Sequence, residues 1–242
     1  MKIKLKFLLK IFIIFLLFLT STYSSPQENV SRKVVLELFT ATWCGPCARY
    51  GPLADKIYNQ FSNQVILLRN QVWQDGLDTK ETNNRANYYR IEGVPTLIIN
   101  GKYAIHPAYY DEILEIINDI LKEKPTYSLQ LYDLKRSGNK ISFKIGIDSF
   151  SNTTKNLKLF IILYEKLVHY EGRNGEKEHR FVIRDYIPDE RGKSLKINPK
   201  ENLDLKIEYD LPKNFSPNKF SIAVFLQDVN TKEIYNGEKI EL

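Results

Sequence analysis

At 242 residues the chain exceeds the usual single domain and is long enough for two, each able to bury its own core. With 43% hydrophobic and 12% aromatic residues it is ordinary globular material, which excludes a disordered or fibrous chain. The net charge of +6 does not point to nucleic acid: Lys2, Lys4, Lys6 and Lys10 supply four of those charges, leaving about +2 and no dense basic cluster.

Those lysines open a targeting segment, because they are followed by the apolar run Ile11 to Leu19 and then by small and polar residues. Counted from Phe7, the apolar stretch has 13 residues interrupted by Lys10, short of the ~20 that span a bilayer. Residues 1–24 therefore read as a signal peptide, with Thr22 and Ser24 as the small residues before a cut after Ser24; an uncleaved anchor is the alternative. Export to the periplasm or cell envelope, or secretion, is expected, with membrane contact only through this segment if it stays. No cysteine lies near the cut, which argues against a lipid anchor.

Residues 25–32 form a short polar linker. Lys33 to Thr40, "KVVLELFT", is a β-rich run suited to a buried strand. Pro46 to Phe61 turns helical, with Leu53, Ile57 and Phe61 at four-residue steps and Pro52 expected to kink it. "QVILLRNQV" is a second strand, Trp73 to Asp78 a loop and Thr79 to Arg90 a helix. Two extended runs then flank Asn100-Gly101, a strong hairpin signal. Pro107 starts a final helix whose apolar face carries Ile113, Leu114, Ile116, Ile117, Ile120 and Leu121.

Pro125 marks a change of character. Beyond it, short alternating runs such as "KISFKIGID" and "FSIAVFLQDV" are separated by turn signals at Ser137-Gly138-Asn139, Arg173-Asn174-Gly175 and Asn236-Gly237. Seven or eight strands in this length describe a β-sandwich of immunoglobulin-like size. Residues 33–124 and 125–242 are thus expected to be separate domains.

The only two cysteines, Cys44 and Cys47, stand between the first strand and the first helix. A zinc site would need two further ligands, and His106, His169 and His179 lack the spacing. His169 and His179 flank a predicted hairpin turn whose opposed strands bring them near each other, a conceivable metal site of which only two ligands are visible. A structural disulfide would close too short a loop to add much stability. A redox pair fits the position, since unpaired N–H groups and the dipole at a helix start favour the thiolate.

"WCGPC", Trp43 to Cys47, resembles the active-site motif of the thioredoxin superfamily. Pro52, five residues after Cys47, and "GVPT", Gly93 to Thr96, extend the resemblance, which covers roughly Lys33 to Lys124. Across the whole chain the pattern is similar to secreted bacterial thioredoxin-like proteins with a C-terminal β-rich domain, a group related in part to outer-membrane proteins. The resemblance implies an α/β thioredoxin fold followed by an all-β immunoglobulin-like sandwich. It also implies a cis Val94-Pro95 peptide beside Cys44, and a substrate surface made by Trp43, Gly45, Pro46, Val94, Pro95 and Thr96. It departs at Leu38, where thioredoxins carry a buried aspartate six residues before the first cysteine. Glu37 and Arg69 are the candidates to support proton transfer. Glu37 faces the other side of a regular strand, so either a bulge brings it round or the proton passes through water.

The implied chemistry is thiol-disulfide exchange with protein disulfide or dithiol substrates: Cys44 attacks and Cys47 resolves. Gly45-Pro46 resembles the reducing members of the superfamily, and a reductant outside the cytoplasm needs a membrane electron donor or acceptor. No metal, and no cofactor beyond the redox-active Cys44–Cys47 disulfide, is implied. The competing reading is a non-enzymatic envelope-binding protein that works through its sandwich, with the thioredoxin part as scaffold; the intact motif favours exchange.

Overall fold

β1 (Val34–Thr40) and β2 (Val65–Gln71) are buried along their whole length and pair in parallel. A parallel pair covered on both faces favours apolar runs, as in Val65 to Leu68, but β1 is interrupted by Glu37 and β2 ends in buried Arg69, Asn70 and Gln71. The computed structural model describes residues 30–212 and 219–242, so the predicted signal peptide and most of the predicted linker lie outside the described residues.

Helix α1 (Gly45–Gln60) links the two strands and contains Pro52. Its buried stripe is Cys47, Gly51, Ala54 and Ile57, whereas Leu53 and Phe61 of the predicted face are only partly covered. α2 (Lys80–Tyr89) starts with a reciprocal cap in which Thr79 and Thr82 bond each other's backbone. β3 (Thr96–Ile99) runs antiparallel to β1, and β4 (Tyr103–Ile105) to β3. Between them Asn100 and Gly101 adopt φ of 45° and 73°, the left-handed pair that a tight hairpin needs. A Cβ on Gly101 would stand 1.9 Å from the Lys232 carbonyl oxygen, so glycine is obligatory there. α3 (Tyr110–Lys122) buries Ile113, Ile117 and Ile120. It begins three residues after Pro107, because Tyr109 already accepts the first helical bond from Ile113.

The remaining strands are β5 (Tyr127–Ser137), β6 (Lys140–Ser149), β7 (Lys155–His169), β8 (Glu178–Tyr186), β9 (Lys193–Ile197), β10 (Asn202–Asp210), β11 (Phe220–Asp228) and β12 (Ile234–Glu241). β10, β6 and β5 form a three-stranded sheet, which shares a core with one face of β7 and β11, as the sandwich reading requires. Asn236-Gly237 is no turn but lies inside β12. Asn236 uses its amide on the Lys33 and Tyr127 backbones, and Gly237 lets β12 approach Ile66 and Val35, whose methyls a Cβ would meet at 2.9 and 3.0 Å.

The predicted boundary at Pro125 falls between α3 and β5, yet Ser31–Leu242 forms one compact unit. The larger sheet runs β12-β11-β7-β8-β2-β1-β3-β4, with β9 also on β7, and β2 joins β8 in parallel where Arg69 faces Val182. On β7, Leu159, Ile161 and Leu163 serve the sandwich core, while Phe160, Ile162 and Tyr164 serve the core of Leu36, Leu38 and Ile57. This explains the unbroken run "LFIILY", which a one-sided sandwich strand would interrupt with polar residues.

A buried ion pair ties the parts together. Arg85 of α2 gives Nε to Glu37 Oε1 and Nη2 to Oε2, both at 2.8 Å, and gives Nη1 to Gln227 of β11 at 3.0 Å. The Tyr89 hydroxyl donates to Glu37 at 2.7 Å. Burial alone would lower the Arg85 pKa, but the Glu37 charge more than offsets this and holds the guanidinium above its ordinary value. Breaking such a pair leaves a buried charge without its partner, at a cost of about 3–5 kcal/mol. Arg85→Leu should lose about that much stability in urea. Since Trp43 and Trp73 are the only tryptophans and sit in the first half, fluorescence and far-UV circular dichroism should report coincident transitions. Two separated transitions would show that the halves unfold independently.

Candidate active site

The loop after β1 delivers Cys44 to the N-cap of α1, with φ −87° and ψ 111°. Its Sγ accepts the Cys47 N–H at 3.1 Å, and its carbonyl accepts those of Cys47 and Ala48 at 3.1 and 3.3 Å. Pro46, in the first turn, lacks only an N–H that would have no helical partner. The two sulfurs are bonded as a disulfide. Both cysteines are buried, while Trp43, Gly45 and Pro46 beside them are exposed.

Val94-Pro95 is cis, and the Val94 carbonyl oxygen lies 3.5 Å from Cys44 Sγ. Thr96 donates its hydroxyl to the Gly93 carbonyl at 2.7 Å, closing the loop that carries Val94 and Pro95. Trp43 donates Nε1 to the Trp73 carbonyl at 3.2 Å, so the loop after β2 holds its ring. In that loop Asp75 is buried and accepts the N–H groups of Thr42 and Leu77 at 3.2 and 2.8 Å. The Thr42 hydroxyl donates to the Asp75 carbonyl. Burial raises the Asp75 carboxyl above its usual range, against the lowering effect of those N–H donors.

The β7–β8 turn also reaches the motif. Asn174 donates its N–H to the Thr42 carbonyl at 2.8 Å and its Nδ2 to the carbonyls of Cys44 and Ala41 at 3.1 and 3.4 Å. Gly172 allows this approach, since a Cβ there would stand 2.9 Å from the Thr42 carbonyl oxygen. The Tyr170 hydroxyl fills the place where a side chain at Gly76 would stand. Asn174 Nδ2 further donates to Glu176 Oε2 at 2.9 Å.

Behind Cys47 lies a cavity of about 190 Å³ whose lining includes Gly51, Asp55, Arg69, Glu176 and His179. Arg69 is one of its walls: it binds both Asp55 oxygens at 3.1 and 3.0 Å and the carbonyls of Gly51 and Arg180 at 3.2 and 2.9 Å. Glu37 is elsewhere. β1 keeps regular register on both neighbours, so no bulge turns it, and its carboxylate is bonded to Arg85 and Tyr89 on the face opposite Leu38. His179 is held by the Tyr170 carbonyl at 3.1 Å and exposed His169 faces Glu178. Among the described residues no group of three metal-ligating side chains assembles. Sequence reasoning missed Asn174, Glu176, Asp55 and Asp75. Arg173-Asn174-Gly175 carries a turn signal, but nothing in it tells that the turn lands on Cys44, 130 positions earlier.

A thioredoxin family model matches residues 18–119. Thioredoxin Y of Oryza sativa subsp. japonica chloroplasts is 36% identical over 85 residues, 34% of this chain and 46% of that protein. A thioredoxin of Staphylococcus haemolyticus is 31% identical over 78 residues, 32% of this chain and 68% of that protein. The chain spans about half to two thirds of the length of the curated relatives it matches. The solved structure of HBP35 of Porphyromonas gingivalis has a similar fold, with a TM-score of 0.72 at 18% identity over 88% of this chain and 76% of that one.

The raised Asp75 carboxyl has a definite sign in stability. Its contribution is fully present below the unfolded value of about 3.9 and is lost as pH rises through the folded one. The stability of the wild type minus that of Asp75→Asn, measured in urea, should therefore be larger at pH 4 than at pH 7. A difference that grows with pH would mean that the fold prefers the ionised carboxylate.

Proposed function

The chain belongs to the thioredoxin family, and from that premise we propose that it is an exported thiol-disulfide oxidoreductase that reduces protein disulfides. The observation that carries this reading is the Cys44–Cys47 pair at the start of α1, with Cys47 N–H on Cys44 Sγ at 3.1 Å and the Val94 carbonyl beside the same sulfur. When reduced, Cys44 gains most from the helix start, where unpaired N–H groups and the dipole stabilise a thiolate. Its thiolate attacks a substrate sulfur and forms a mixed disulfide. Cys47 then attacks Cys44, and the substrate leaves as a dithiol.

Trp43, Gly45, Pro46, Val94, Pro95 and Thr96 make the surface a substrate meets, and the Val94 backbone is placed to pair with an extended peptide. Gly45-Pro46 supports a reductant over a strong oxidant. Export is supported by the basic start and apolar run of residues 1–24, and a reductant there draws electrons from a membrane partner. The redox-active disulfide is the only cofactor this chemistry needs.

Equilibration of the mature protein with glutathione buffers should give a potential near thioredoxin's, about −270 mV, and a value near −120 mV would make it a disulfide donor instead. Cys44→Ser should abolish insulin reduction, and Cys47→Ser should accumulate a mixed disulfide. On expression in a bacterium with an envelope, mass spectrometry of the fractionated protein should find Ser25 as the first residue; an intact Met1 in the cytoplasm would remove the export reading.

A further inference from the structure

The position where thioredoxins carry their buried carboxylate is Leu38 here, packed in the core, and neighbouring Glu37 is committed to Arg85. The resolving thiol still has to lose its proton. Carboxylates reach its cavity from three other places: Asp55 of α1, Glu176 of the β7–β8 turn and Glu178 at the start of β8. Asp55 is neutralised by Arg69 at 3.0 Å, with Arg180 at 3.8 Å. Glu178 is largely exposed and faces His169. His179 is the donor in its bond with the Tyr170 carbonyl.

Glu176 differs from these groups. Among the described residues it carries no ion pair, and its Oε2 accepts the Asn174 amide at 2.9 Å. Its Oε1 points at Gly51, where a Cβ would stand 3.9 Å away. Gly51 follows Cys47 by one helical turn on the same buried stripe, and Cys47, Gly51 and Glu176 line one cavity. Asn174 ties Glu176 to the motif, because the same Nδ2 that holds Glu176 also holds the Cys44 carbonyl.

We propose that Glu176, supplied by the C-terminal β-region, accepts the proton of Cys47 in the resolving step, an inference that rests on the exchange reaction proposed above. In that step the Cys47 S–H proton passes to the Glu176 carboxylate, directly or through one water. The Cys47 thiolate forms the S–S bond to Cys44, and the bond from Cys44 to the substrate sulfur breaks. The substrate sulfur departs with the electron pair and takes up a proton from solvent, and Glu176 releases the proton it accepted to water. The enzyme dithiol is oxidised by two electrons and the substrate disulfide reduced by two. Asn174 is a positioning residue.

The test uses the reduced full-length mature chain and dithiobis(nitrobenzoate), which releases one thionitrobenzoate when Cys44 attacks and a second when Cys47 resolves. Glu176→Gln keeps the Asn174 bond through its amide oxygen and removes only the base. The first phase should be unchanged. The second should slow by about tenfold or more at pH 7, less than the roughly 100- to 10,000-fold of a positioned base, because a thiol already ionises near neutral pH. The gap should close as pH passes the ordinary thiol value of about 8.5.

A carboxylate that acted only by its charge predicts the opposite sign, since its removal would ease ionisation of Cys47 and leave the second phase equal or faster. That outcome, or equal slowing in the neighbouring variant Glu178→Gln, overturns the proposal. Wild-type protein that releases no thionitrobenzoate overturns the exchange reaction itself, and the Glu176 assignment with it.

Discussion

The Arg85–Glu37 pair sets the terms for the rest of the structure. Removing a guanidinium and a carboxylate from water costs several kcal/mol for each ion, and attraction offsets this only when the remaining donors and acceptors are also met. Here they are met from three sides: Glu37 from β1, Arg85 and Tyr89 from α2, and Gln227 from β11. Phe160 and Phe225 stack around the guanidinium at 4.5 and 5.5 Å. The pair is satisfied only when the α/β part and the β-region are assembled together. A carboxylate on a thioredoxin-like first strand has here become a device for joining two parts, and it is lost to the chemistry of the cysteines.

That joint has a consequence at the motif. Because β2 and β8 lie in one sheet, the turn before β8 is carried to the end of the sheet where β1 releases Cys44. The turn is held there by bonds to Thr42, Ala41 and Cys44, and by Tyr170 over Gly76. The β-region is therefore part of the wall around Cys47 and not an appended module. Asp75 performs a similar task from the loop after β2, accepting the Thr42 N–H while the turn takes the Thr42 carbonyl. Two loops from distant parts of the chain thus hold the few residues that place the thiols.

Much of this was legible in the residues. The Cys44–Cys47 pair, the helix that follows it, the Asn100-Gly101 hairpin and the strand count beyond Pro125 each rest on a local rule, and local rules survive folding. What stayed hidden was long-range. "LFIILY" advertises burial on both faces but not which two cores share it. Asn236-Gly237 has the composition of a turn, yet its glycine serves a close approach to Ile66 and its asparagine a bond to Tyr127. Period-2 alternation did put Glu37 on the far face of β1 from Leu38. The partner waiting there, Arg85, stands 48 positions on, in a helix whose sequence reads as mostly polar.

The arrangement also separates two traffics at one disulfide. Cys44 is flanked on its open side by Trp43, Gly45 and Pro46, all exposed, and by the Val94 carbonyl. Cys47 faces inward, onto a cavity lined by α1, the ends of β1 and β2, the β7–β8 turn and the start of β8. Under the proposed exchange a substrate disulfide meets Cys44 from the Trp43–Val94 side, and the proton of the resolving thiol leaves toward Glu176 on the other. A turn tied to the motif by the N–H and the Nδ2 of Asn174 cannot swing aside without breaking these bonds together. The two sulfurs thus come from the α/β part, while the wall behind Cys47 comes partly from the β-region.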